Sequence, residues 1–471
     1  MSFSSLTRRF LCGAVAALVV ADSATSETTS APNDRANVVA NGDFQKGEIG
    51  GLPEQWQNAA ARPALMPVFR LEENDGRKLL MATGGGNGEC TGYLSQAVPV
   101  KLGGTYLYRV VFRMSEDLDP NRNLLFRCVR PGVKNGVFHF RKLDAGWVEG
   151  TEKIHFPGEG QTKAEIQVFF RFSANGKAWI REVSLSQTSP VEPRWVKVAC
   201  TQGKTDLDSC AKVLDIVGKA GADIVLLTEY MRGGFLPEPV PGPSSKLMSA
   251  MARKHGMYVA GGIVRKVDEP DRVFNTALLY DRQGKLVGMY DKIHPYSPEN
   301  NEQGVTPGTK VPVFETDFGK VGIVICYDSW FPDVCQLLAL KGAEIVLFPN
   351  AGHQPEVLYA RSMDNCVRIV SSAWNLPYSI HDTLGRNILK PDAYRTATSP
   401  NMNTFKDIVH AEVPDSHVKI LMASLDLNCS PSPAYNGGTM MSAPGGKRNR
   451  REQLYYLQDE IKQEINRWWD P

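Results

Sequence analysis

The chain has 471 residues, 42% of them hydrophobic and 22% charged, with a formal net charge of +2 at neutral pH. That length holds two or three domains of ~100–200 residues each. The near-neutral balance offers no electrostatic footprint for nucleic acid or a polybasic membrane contact, and KRNRR (447–451), in Gly/Pro-rich surroundings, reads as a solvated linker.

Residues 1–26 read as an export signal. TRRF (7–10) supplies positive charge, LCGAVAALVVA (11–21) a short apolar run, and Ala21, Ser23, Ala24 and Ser26 small residues suited to cleavage. The apolar run is shorter than the ~20 residues a membrane-spanning helix needs. Arg8-Arg9 followed by Phe10-Leu11 is similar to a twin-arginine signal, so a periplasmic or extracellular destination is expected. An uncleaved membrane anchor is the rival reading.

Residues 38–187 read as all-β. TYLYRVVFRM (105–114), NLLFRCVR (123–130), EIQVFFRF (165–172) and AWIREVSL (178–185) are short strand patterns separated by Gly, Asn and Pro turn signals, which predicts a β-sandwich. The opening VVANGDFQKG…LPEQWQ and the closing WIREVSL resemble jelly-roll galactose-binding-like and carbohydrate-binding modules. That resemblance implies a glycan as a partner. Arg181-Glu182 stands where those modules carry an acidic pair, so a sandwich that only packs or spaces is the alternative.

The chain has nine cysteines, with no CxxC pair and no Cys/His spacing that suits a structural metal. No metal and no cofactor are expected. Export permits disulfides, and Cys90–Cys128 is a candidate pair within the first domain.

From 194 to 428 the texture changes to α/β. WVKVACTQ (195–202), DIVLLTEY (223–230), KVGIVICYD (320–328) and AEIVLFPN (343–350) are apolar strands. Helical stretches alternate with them, among them DSCAKVLDIVGKAGA (208–222), WFPDVCQLLALKG (330–342) and QPEVLYARSMDNCVR (354–368). Continuous Val/Ile/Leu strands alternating with helices predict a sheet buried on both faces. A linker and a C-terminal helix occupy 429–471. Leu454, Leu457, Ile461, Ile465 and Trp468 form a stripe on one helical face that must bury against its own domain or a second copy, and a homodimer or higher homo-oligomer is expected.

Three reactive side chains end apolar strands: Glu229 after DIVLLT, Lys292 after GMYD and Cys326 after VGIVI. Ligands bind α/β sheets at the carboxyl ends of strands. A thiol alone there reads as core packing, but an acid, an amine and a thiol at one rim do not. The segments LLTEY, YDKIHPY and VGIVICYDSWFPD resemble the nitrilase, or carbon–nitrogen hydrolase, superfamily over about 196–428, with GVTPG (304–308), KGAEIVLFPN (341–350) and YARSMDN (359–365) in matching order.

The resemblance implies a multi-domain chain: a jelly-roll sandwich followed by a nitrilase-type α/β sandwich (αββα). It implies Cys326 as nucleophile, Glu229 as general base, and Lys292 with the Tyr327 backbone N–H as oxyanion donors. It also implies a second glutamate, for which YSPENNEQGVTPG offers Glu299 and Glu302, with Glu302 preferred for its place before GVTPG. Asp328 is expected to fix the turn after the thiol, His294 to be a structural neighbour and Arg361 a structural ion-pair residue. The implied activity is hydrolysis of a non-peptide amide or carbamoyl C–N bond through a thioester. The rivals are a nitrilase and a non-catalytic glycan-binding protein with a relic hydrolase domain.

Overall fold

The computed structural model describes residues 37–428 except 131–132, 137–138, 157, 191, 270, 353–354, 384 and 390–404. The expected export segment 1–26 and the expected C-terminal helix at 453–469 lie outside the described residues, as does the basis for oligomerisation drawn from that helix. No described helix is long and apolar enough to cross a membrane.

Residues 37–188 form two antiparallel sheets. One runs, in spatial order, Gln57–Ala60, Thr91–Lys101, Gln161–Arg171, Leu124–Arg130 and Val133–Gly136; the other runs Val68–Asn74, Arg77–Thr83, Lys177–Thr188, Thr105–Met114, Val148–His155 and His139–Lys142. Period-two burial explains the packing: along Thr91–Lys101, Leu94, Val98 and Val100 turn inward while Tyr93, Ser95 and Pro99 do not. The inward sides of both sheets share one core that includes Phe44, Trp56, Tyr108, Phe126 and Phe170. The Cys90–Cys128 disulfide is not formed. Both thiols are free and buried within this core, and Cys90 Sγ donates to the Ser173 carbonyl at 3.5 Å.

From Trp195 the strands belong to a 13-stranded sheet. Its central members are parallel: Trp195–Gln202 pairs with Ile224–Leu226, which pairs with Tyr258–Val267, and Ile345–Asn350 pairs with Arg368–Ala373. Alternate residues serve two cores. Ile224 and Leu226 join Val321, Ile323, Ile345 and Leu347 in one, whereas Val225 and Leu227 join the helix residues Val213, Leu214, Met248 and Ala252 in another. A strand buried on both sides must be apolar at every position, and IVL at 224–226 is. Lys419–Asp426 pairs antiparallel with Trp195–Gln202 along its whole length, while Leu427 N–H donates to the Arg194 carbonyl at 2.9 Å. The end of the described chain therefore closes on the start of the α/β region.

Candidate active site

Two glycines bring the reactive strand ends together. Glu229 follows Ile224–Leu226 beside Gly262 of the neighbouring strand, where an added Cβ would lie 2.8 Å from the Glu229 Cα. Lys292 follows Leu286–Asp291. Its N–H donates to the Asn275 carbonyl at 2.9 Å, and its carbonyl accepts from Gly308 N–H at 2.8 Å. A Cβ on Gly308 would sit 2.1 Å from the Asp291 carbonyl oxygen, so GVTPG requires glycine there in order to pin the lysine.

Cys326 follows Gly319–Ile323 by way of two buried residues, Val324 and Ile325, and opens the 3-10 turn Cys326–Trp330. Its φ of +43° lies in the left-handed region, unusual for a residue with a Cβ. Asp328, fully buried, holds this turn. It accepts from Ile325 N–H at 3.1 Å, Tyr290 O–H at 2.7 Å and His294 N–H at 2.8 Å, and it contacts His294 Nδ1 at 3.1 Å. One carboxylate thus ties the thiol's turn to the segment after Lys292. His294 stacks on Phe331 at 4.0 Å, and its hydrogen bond to the Asp328 carboxylate raises its pKa above the ordinary imidazole value. Arg361 anchors the same turn, donating to the Ser329 and Trp330 carbonyls at 3.0 and 3.3 Å, and its side-chain pairing is with Asp364 at 3.7 Å.

The buried cluster has one more negative than positive charge. Lys292 Nζ donates to Glu229 Oε1 at 3.0 Å and to Glu299 Oε2 at 2.6 Å. Asn275 Nδ2 donates to Glu229 Oε1 and to Glu299 Oε1, both at 2.7 Å. Tyr230 O–H also donates to Glu299 Oε1, and Tyr296 N–H to Glu299 Oε2 at 2.8 Å. The preference for Glu302 is therefore corrected. Glu302 caps the short helix Ser297–Asn301 and is exposed, while Glu299, on the helix itself, turns into the cluster.

Burial opposes the charge on Lys292, but Glu229, Cys326 and Glu299 outweigh it and hold its pKa above the ordinary lysine value. Burial likewise works against ionisation of Glu299. Lys292 and the donors from Tyr230 and Tyr296 prevail, so its pKa lies below the usual carboxylate value. The Cys326 thiol is pushed up to about 12, chiefly by burial and then by the charge of Glu229, with Lys292 and the backbone of Ala351 and Gly352 acting in the opposite direction. The resting sulfur is thus a protonated thiol. It needs a base at the moment of attack.

Glu229, Lys292, Glu299 and Cys326 all line one cavity of about 790 Å³. Tyr230, Phe235, Tyr296, Tyr327, Trp330 and Trp374 form aromatic walls. Lys204 reaches the cavity with its Nζ 5.3 Å from the centre of the Trp374 ring, and it has no ion pair among the described residues. No described group of His, Cys, Asp and Glu is arranged to hold a metal.

Sequence reasoning missed Asn275 and Tyr230. The signal for Asn275 was present: a polar pair, Asn275-Thr276, interrupts RVFNTALLY, whose positions from Phe274 onward are all buried.

The sequence profile described as Carbon-nitrogen hydrolase matches residues 183–373. The chain is 28% identical to omega-amidase NIT2-B of Xenopus laevis over 189 residues, spanning 36% of this chain and 68% of that protein. It is 25% identical over 289 residues to N-carbamoylputrescine amidase of Solanum lycopersicum, spanning 55% of this chain and 92% of that protein. Among solved structures it is similar to Saccharomyces cerevisiae Nit3, a member of branch 10 of the nitrilase superfamily, with 21% identity and a TM-score of 0.41 over 51% of this chain and 93% of that one.

Proposed function

We propose that this chain, which carries a carbon–nitrogen hydrolase domain at residues 183–373, is an amidase that cleaves a non-peptide amide or carbamoyl C–N bond through a thioester on Cys326. The observation that carries the reading is the cavity in which a thiol, an ion-paired carboxylate and a buried ammonium converge. The names omega-amidase and N-carbamoylputrescine amidase, borne by similar proteins, support amides and carbamoyl compounds as substrates.

Glu229 takes the proton from Cys326 Sγ as sulfur bonds to the carbonyl carbon and the C=O π pair moves to oxygen. Lys292 Nζ and the Tyr327 backbone N–H face that oxyanion, Tyr327 lying in the first turn after the thiol, where helical N–H groups lack intrahelical partners. The carbonyl re-forms as the C–N bond breaks, and Glu229 returns the proton to the departing nitrogen. Water then attacks the thioester with Glu229 as base, the C–S bond breaks, and the proton returns to the sulfur.

Lys204 lies on the cavity wall outside the ionised cluster, and it favours substrates whose acyl end carries an anion. Ammonia release by the full-length protein from paired amides, carbamoyl compounds and nitriles tests the reading. Release from amides or carbamoyl compounds is expected. Release from nitriles alone, or from none of the three, would overturn it.

A second reading concerns residues 38–187, for which we propose glycan binding. On the face of the five-stranded sheet away from the core, Tyr93 and Phe169 pair at 4.6 Å, Arg127 lies over Phe169 at 5.4 Å, and Ser95 and Glu165 line an adjacent cavity of about 420 Å³. Aromatic rings beside hydrogen-bonding side chains suit a ligand with both apolar and hydroxyl faces. A blank glycan array would remove this reading.

A further inference from the structure

Carboxylate oxygens accept hydrogen bonds and have finite capacity, so counting donors separates the duties of the two buried glutamates. Glu299 receives Tyr230 and Asn275 on Oε1 and Lys292 and Tyr296 on Oε2. Both of its oxygens are occupied. Glu229 receives Asn275 and Lys292, both on Oε1. Among the described residues no hydrogen bond reaches its Oε2. The cluster has made the two oxygens of one carboxylate unlike each other.

The group common to both carboxylates, besides Lys292, is the side-chain amide of Asn275. Its orientation is fixed by its partners: two carboxylate oxygens paired with Lys292 require the NH₂ end to face them. The other end has no such support, since Asn275 Oδ1 is buried without a hydrogen-bond partner. An orphaned buried carbonyl costs stability, so packing alone would favour an apolar residue at this strand position.

We propose that Asn275 is a positioning residue: by donating to Glu229 and Glu299 at once, it occupies Oε1 of Glu229 and leaves Oε2 as the atom that takes the proton from Cys326. It touches no reacting atom and acts through Glu229. The proton moves from Sγ to Oε2 and later from Oε2 to the leaving nitrogen, while Oε1 stays bound to Asn275 and Lys292 throughout. Asn275 also bridges two carboxylates that share one ammonium, keeping the base stationary. This inference rests on the amidase reading.

The groups facing Glu229 are Lys292, Glu299, Tyr230 and Cys326, and substitution of Asn275 leaves all of them in place. The test uses the full-length protein and two readouts across pH: kcat/KM on a hydrolysed amide, and the rate of Cys326 alkylation by iodoacetamide, located by peptide mass. Asn275→Ala removes both hydrogen bonds, and Asn275→Ser keeps a single short donor if the alanine variant does not fold.

In Asn275→Ala, kcat/KM should fall about 10–100-fold, with its acid limb displaced upward by about one to two pH units, the scale of one hydrogen bond to an ionised group. Alkylation should shift in the same direction, and Asn275→Ser should lie between. A loss of folded protein with both pH profiles unmoved, or full activity, would overturn the proposal and leave Asn275 as packing. If the wild type hydrolyses no amide, the amidase reading fails, and the alkylation profile still decides whether Asn275 governs the Glu229–Cys326 pair.

Discussion

Replacing Lys292 with methionine tests the electrostatics of the site more severely than replacing any other residue. The ammonium lies 3.0 Å from Glu229 and 2.6 Å from Glu299, with side-chain exposures of 1%, 3% and 9% for the three residues. Lys292→Met conserves much of the volume and leaves two buried carboxylates without their cation. Breaking such a pair costs about 3–5 kcal/mol, because an uncompensated charge stays buried.

At ~2–4 °C per kcal/mol for a domain of this size, the melting temperature should fall by roughly 6–20 °C at pH 7.5. The pH dependence has a definite sign. Burial opposes ionisation of Glu299, but Lys292 holds its pKa below the ordinary value. Its contribution is therefore present above the unfolded carboxylate value and is lost as pH falls through the folded one. In the variant, burial and mutual repulsion make the carboxyl pair retain a proton to higher pH, so the variant recovers stability on acidification. Thermal unfolding followed by circular dichroism should show a gap from wild type that narrows between pH 7.5 and 5. Equal stability at pH 7.5, or a gap that widens on acidification, would refute the reasoning.

Glu229→Gln should lower kcat by ~10²–10⁴-fold, the usual worth of a positioned proton-transfer group, with the fold retained in circular dichroism. Asp328→Ala strands the buried donors of Tyr290 and Ile325, at about 1–3 kcal/mol each if left unsatisfied, and removes the half-buried acceptor of His294; denaturant unfolding should register the loss, and the His294 imidazole resonance should titrate at lower pH than in wild type. Lys204→Met should reduce kcat/KM for succinamate about two- to fivefold while sparing butyramide, an anion-specific loss on the scale of one exposed charge contact; equal effects on both would remove Lys204 from substrate choice.

What the sequence disclosed follows from which physical constraints are local. An apolar run that stops at an acid, an amine or a thiol is visible in one dimension, and it singles out Glu229, Lys292 and Cys326 as candidates, which line one cavity in the fold. Choosing between Glu299 and Glu302 needed the rotation of a short helix, Ser297–Asn301, whose single inward carboxylate depends on where Pro298 starts the turn. Cys90 and Cys128 count as a pair in sequence, yet in the fold both are free thiols buried among apolar side chains. Asn275 was legible as a polar residue inside a buried strand. Its use was not, because both of its carboxylate partners arrive from other elements.

Cleavage through a thioester requires Cys326 to be the nucleophile. Full-length protein mixed with excess amide and quenched in acid should carry one acyl group, detected by intact mass and mapped by peptide mass to Cys326, and Cys326→Ala should carry none and turn over nothing. An acyl group on a different cysteine, or undiminished turnover by Cys326→Ala, would contradict it.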